Sequence, residues 1–133
     1  MNVEPLVSHY LTASQGLFVS PRFVIRGPDG GEWSCPDFVA LDFQKHQVQI
    51  VEATARANVS GLIEKVRNRE QQWVQYLKPD LIRRRAIDET WRFVVRVFVR
   101  NDNVAVFKRK LGEASDVTIQ AIEDICLECL GSR

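Results

Sequence analysis

The chain has 133 residues, which suits one domain, read here over residues 1–133. Its 45% hydrophobic and 26% charged residues mark a globular composition, and the +1 net charge excludes a uniformly basic nucleic-acid coat. Three cysteines are too few for a disulfide scaffold and no apolar run approaches the ~18 residues of a bilayer span, so no membrane partner is expected. Met1-Asn2-Val3-Glu4-Pro5 also lacks the basic start and apolar stretch of a secretory signal, and the expected location is cytoplasmic.

In chain order, Leu6, Val7, Tyr10 and Leu11 recur at helical spacing over 4–14, and Gly16 supplies a stop. Residues 17–26 are rich in β-formers, with Pro21 placing that strand at an edge or a bulge. Gly27-Pro28-Asp29-Gly30-Gly31 is a turn. Strands are predicted over 35–43 and 47–54, joined by a polar turn centred on Gln44 and Lys45. Asn58 or Ser60 caps a long helix that Pro79 ends at about Lys78. Residues 91–100 form the clearest strand, and Asn101-Asp102-Asn103 turns it into a short strand over 104–108. Ser115 then caps a final helix that stops at Gly131. This alternation predicts an α/β (α+β) fold, a mixed sheet flanked by helices.

The hairpin over 35–54 carries the chemistry. With Gln44 and Lys45 at its tip, cross-strand partners have numbers that total 89, which sets Asp37 opposite Glu52. Two carboxylates ~5 Å apart repel each other in a plain hairpin. A hard divalent cation between them reverses the sign, because Mg²⁺ takes oxygen ligands and one or two carboxylates. Both acids are flanked by apolar residues, Phe38 to Leu41 and Val48 to Val51, where unpaired charge is costly. The ordinary alternative is that they reach solvent or pair with Arg22 or Arg56.

Pro36-Asp37 on one strand and Glu52-Ala53-Thr54 on the next, inside an αβββαβ element order, resemble the PD-(D/E)XK nuclease superfamily. The resemblance implies a restriction-endonuclease-like core with a mixed central sheet. It also implies Mg²⁺ or Mn²⁺ held by Asp37, Glu52 and the Ala53 carbonyl, with a metal-activated water attacking a DNA phosphodiester. The motif's lysine is replaced here by Thr54, and a hydroxyl does not supply an ammonium's charge. Either the cation comes from elsewhere or this copy no longer cleaves.

On the helix after the hairpin, Val59, Leu62, Ile63, Val66, Trp73, Val74 and Leu77 share a core face, whereas Glu64, Arg67, Asn68, Gln71 and Gln75 face solvent. Between them runs a stripe of Lys65, Arg69, Gln72 and Tyr76. Gln72-Trp73-Val74-Gln75-Tyr76 is similar to the Gln-x-x-x-Tyr motif of RecB-type nucleases, which implies that Gln72 and Tyr76 lie beside the active site. Lys65, on the same stripe, is the candidate for the displaced lysine. Glu4 is a possible further acid.

Charge is concentrated beside this hairpin. Residues 56–85 hold eight positive side chains against three negative. Arg56, Arg69, Arg83, Arg84 and Arg85 are the candidate phosphate contacts. Arg92, Arg96 and Arg100 alternate on one strand face and read as a wet sheet face. Cys126 and Cys129 have ligand-like spacing without a second pair, which on a helix is ordinary packing. His9 and His46 are isolated, and no phosphate-binding glycine loop is present.

The expected function is a metal-dependent deoxyribonuclease with Asp37, Glu52, Lys65, Gln72 and Tyr76 at its centre. A chain this small has little surface for a duplex, so a homodimer or a larger complex is expected. The alternatives are a catalytically impaired module binding nucleic acid or protein, and a nuclease subunit of a recombination or transposition assembly.

Overall fold

A computed structural model describes residues 2–125 of the chain. Helix α1 (Glu4–His9) carries Pro5 in its first turn, where a missing N–H leaves no bond unmade. It continues as a π-helical turn, Tyr10–Ser14, and Gly16 then turns the chain at φ 66°. The helix expected over 4–14 is present.

The predicted strand over 17–26 is instead two strands. Strand β1 (Phe18–Pro21) ends where Arg22 takes φ 51°, and β2 (Ile25–Arg26) leaves the main sheet. It pairs antiparallel with β3 (Glu32–Ser34) across the glycine-rich turn, in which Gly30 adopts φ 83°. At three residues between two turns, β3 is too short to produce a readable alternation.

Strands β4 (Phe38–Asp42) and β5 (Gln47–Ala53) form the expected hairpin. Its register is the predicted one, with Phe38 opposite Val51, Val39 opposite Ile50 and Leu41 opposite Val48. After β5 come α2 (Ser60–Arg67), a π-helical turn (Glu70–Val74) and α3 (Gln75–Arg83). Pro79 does not end this helix as predicted. Its ring is exposed while Leu77 and Leu81 on either side are buried, and that continuing apolar face outweighs one lost backbone hydrogen bond.

Strand β6 (Arg92–Val99) lies parallel to β5, and β7 (Val117–Ala121) lies parallel to β6. Between them runs α4 (Asn101–Leu111), where the sequence predicts a turn and a short strand. Two parallel strands need a crossover, and Val104, Phe107 and Leu111 supply its apolar stripe at i, i+3 and i+7. The predicted final helix from Ser115 is likewise corrected: β7 occupies its first half and helix begins only at 122. Its stop at Gly131, with Cys126 and Cys129, lies outside the described residues.

The result is a mixed α/β fold with a five-stranded sheet in the order β1-β4-β5-β6-β7. On one face α2, α3 and α4 bury Val48 and Ile50 of β5 with Val95, Val97 and Val99 of β6, around Trp73 and Phe107. On the other, α1 and residues 122–125 cover Phe38, Ala40, Val51 and Phe98. The arginine face of β6 is not uniformly wet as predicted. Arg92 is exposed, but Arg96 is buried on the second face, with its guanidinium over the rings of Tyr10 and Phe98. Among the described residues no helix is long and apolar enough to cross a membrane.

Candidate functional site

The two predicted acids meet at the end of the sheet where β5 passes into α2. The β4–β5 ladder closes at Phe38 and Val51, and Asp37 stands one residue beyond it. Two hydrogen bonds and a buried proline fix it there. Asp37 Oδ2 accepts the Ala53 N–H at 2.8 Å, its carbonyl accepts the Arg22 N–H at 2.8 Å, and Pro36 before it is buried.

Glu52 is buried on β5, in register with Val97 of β6. Its carboxyl is pushed up from 4.5 to about 8, by burial first and then by its hydrogen bond and repulsion with Asp37. Lys65 acts on it in the opposite direction and lines the same pocket. A buried carboxyl whose partner is another carboxyl is unfavourable unless a proton or a cation is held between them.

Asp37, Glu52, Ala53, Thr54, Arg56 and Lys65 line one pocket of about 640 Å³, completed by Asn58, Ser60, Gly61 and Leu62 at the start of α2. Neither Asn58 nor Ser60 is the N-cap, which is Val59 with no side-chain bond; Asn58 instead accepts the Ser60 N–H at 3.0 Å, an Asx turn just ahead of the helix. Thr54 is committed to the backbone: its N–H donates to the Phe98 carbonyl and its hydroxyl oxygen accepts the Arg56 N–H. Asn103 of α4 donates to the Arg56 and Ala57 carbonyls at 3.2 and 3.1 Å and so pins the loop under the pocket. Cys35 stands two residues before Asp37, its thiol pushed up by burial and by Glu32, Asp37 and Glu52.

The donor set suits a hard cation: two carboxylates and a backbone carbonyl, all oxygen. Among the described residues no three His, Cys, Asp or Glu side chains gather at one point. An ion here would have few protein ligands and keep much of its water, as Mg²⁺ does.

The rest of the stripe does not converge on this pocket. Arg69 turns to the far side, its Nε and Nη2 bonded to Asp116 at 2.6 and 2.9 Å. That guanidinium in turn holds Asp116 below the usual carboxylate range. Gln72 and Tyr76 face the β2–β3 hairpin, Gln72 donating to Ser34 Oγ and Tyr76 lying edge-on to Trp33. The angular arithmetic of a regular α-helix fails between Lys65 and Tyr76 because Asn68 leaves the helical conformation and the next turn is π, so the stripe divides.

The triple arginine is also remote. Arg83 and Arg84 pair with Asp80, and Arg84 lies over the Phe23 ring. From Lys65 to Arg83 the helix rises on the order of 25 Å toward the opposite end of the sheet. Arg56 is thus the predicted phosphate contact that lies in the pocket. Glu4 pairs with Arg22 at 3.8 Å, on the α1 side. Sequence reasoning missed Asn103, Ser34 and Trp33, because each acts through an element, α4 or β3, that it did not place.

No family model matches the chain, and neither does a curated protein or a solved structure.

Proposed function

We propose that this chain is a metal-dependent nuclease domain that hydrolyses DNA phosphodiester bonds at the pocket of Asp37 and Glu52. One observation carries the reading: the β4–β5 register sets two carboxyl groups side by side in one pocket at a sheet end, one of them buried, with Lys65 on the same pocket wall. That arrangement opposes stability, and a function that needs concentrated negative charge accounts for it.

The fold supports the same reading. It has a leading helix, a meander of β1, β4 and β5, a helical crossover and a parallel β6, the elements this reading calls for. Asp37, Glu52 and the Ala53 carbonyl would hold Mg²⁺ or Mn²⁺. Such an ion supplies a water acidic enough to attack near neutral pH. Lys65 neutralises charge that develops on the scissile phosphate, the task left open by Thr54. Arg56, exposed at the rim, holds a neighbouring phosphate. Ala53 positions Asp37 by donating to it, which leaves Asp37 Oδ1 for the cation.

The test is cleavage of linear, single-stranded and branched DNA with Mg²⁺ or Mn²⁺. Metal-dependent cleavage that is lost in both Asp37→Ala and Glu52→Ala is the expected result. No cleavage by wild type, or cleavage that survives both substitutions, contradicts it.

Thr54 favours a second reading, a module that keeps the fold and binds nucleic acid or a protein partner without cutting. Salt-sensitive DNA binding that ignores Mg²⁺ would select it. A nuclease subunit completed by a partner, or a homodimer, is distinguished from a self-sufficient monomer by the mass of the active species.

A further inference from the structure

Gln72 and Tyr76 do not reach the acids, yet they make specific contacts. Gln72 Nε2 donates to Ser34 Oγ at 3.0 Å, and the bond is partly buried. Tyr76 meets the Trp33 ring edge-on, with centroids 4.9 Å apart. The same indole donates from Nε1 to the Gln71 carbonyl at 3.0 Å, and its other neighbour is Gly27, where a Cβ would stand 3.5 Å from the ring. One turn of helix therefore grips both residues of β3 that precede the acid-bearing segment.

That segment is short. Ser34 and Asp37 are three residues apart, at most ~10 Å of chain, with Pro36 buried between them. Any shift of β3 is passed to Asp37 with little slack, because Pro36 restricts both itself and Cys35. The hairpin has weak support of its own: two strands of two and three residues, a bulged register and a half-exposed Trp33. Its position is set by the helix.

We infer that Gln72 and Tyr76 are positioning residues that clamp the β2–β3 hairpin to the helix and through Ser34 fix where Asp37 stands beside Glu52. That Asp37 so placed serves metal binding rests on the nuclease reading above; the clamp itself does not. The charge-free nature of the contacts fits this division of labour, since an amide and a phenol ring hold geometry without competing for the cation.

The test reads Asp37 placement directly, through hydrogen exchange of the Ala53 amide that Asp37 accepts in the metal-free protein. Gln72→Ala and Ser34→Ala should each speed that exchange by about fivefold or more, with Ile50 and Val51 unchanged as an internal control for global stability. The double variant should be no faster than either single one, because both remove the same bond. Ser34→Thr, which keeps the hydroxyl, should restore the wild-type rate. Tyr76→Phe should match wild type and Tyr76→Ala should not, because the ring makes the contact. Unchanged Ala53 exchange in Gln72→Ala, or additive effects in the double variant, overturns the clamp. Mn²⁺ titration of the same proteins separates the two claims. Affinity should fall about fivefold in Gln72→Ala and vanish in Asp37→Ala, whereas equal Mn²⁺ binding by wild type and Asp37→Ala sinks the metal reading and leaves the Ala53 result to judge the clamp.

Discussion

Two ionisable side chains are buried in the central strands of this sheet, Arg96 on one face and Glu52 on the other, each only 9% exposed. Their surroundings are opposite. Arg96 donates to the side-chain oxygens of Gln15, Gln49 (3.1 Å) and Gln120 (2.8 Å) and lies over two aromatic rings. Glu52 is set against another carboxyl and is strongly disfavoured as an anion. Equal burial therefore means different things. The first group is accommodated by its neighbours and ties Gln15, just past the π-helical turn, and Gln120 of β7 to β6. The second is placed against its own interest, which is how a site differs from a scaffold.

The sharpest way to break this contrast is to remove each group and read both stability and chemistry. Asp37→Ala or Glu52→Ala should reduce metal-dependent cleavage by about 10³-fold or more while leaving the thermal midpoint unchanged or raised. Arg96→Met should do the reverse: a loss of about 3 kcal/mol in denaturant unfolding, because three glutamine carbonyls lose their donor, with metal affinity retained. A stable Arg96→Met protein, or a severely destabilised Glu52→Ala, would erase the distinction.

Next in size is Lys65. Lys65→Met should slow cleavage about 10²-fold without weakening Mn²⁺ binding, which separates neutralisation of the phosphate from holding of the ion.

The pH dependence sharpens the contrast without mutation. Because the folded-state Glu52 is raised from 4.5 to about 8, the folded protein holds a proton that the unfolded chain has released. Its contribution is fully present below about pH 4.5 and is lost as pH rises through about 8. Metal-free wild type should lose a few kcal/mol across that window, and Glu52→Gln should flatten the slope.

The smallest effect belongs to Arg69. It is committed to Asp116 on a partly exposed surface, so Arg69→Gln should cost under ~1 kcal/mol and leave DNA affinity unchanged. Arg56→Gln should weaken DNA binding and lower its salt dependence.

How much of this could be read in the sequence depends on how local the cause was. The hairpin register follows from a polar turn between two apolar strands, so the juxtaposition of Asp37 and Glu52 is legible in the sequence alone. Lys65 lies less than two turns into the next helix, near enough in sequence for its place on the same pocket wall to be read. Residues 101–108 were misread because Val104 and Val106 favour a strand locally, whereas the parallel pairing of β6 and β7 demands a crossover there. Arg69, Gln72 and Tyr76 were placed on one stripe by a helical period that the π turn interrupts. The partner of Gln72 was out of reach altogether, since Ser34 belongs to a three-residue strand with no pattern of its own. What escaped was the local π turn and whatever depended on contacts made far along the chain.

The most direct test is one titration, Mn²⁺ into the metal-free protein at pH 7.5, followed by calorimetry for wild type, Asp37→Asn and Glu52→Gln. Wild type should bind saturably and each variant at least about tenfold more weakly, because each removes one of two anionic ligands. Binding that is absent in wild type, or equal in all three proteins, would contradict the metal reading.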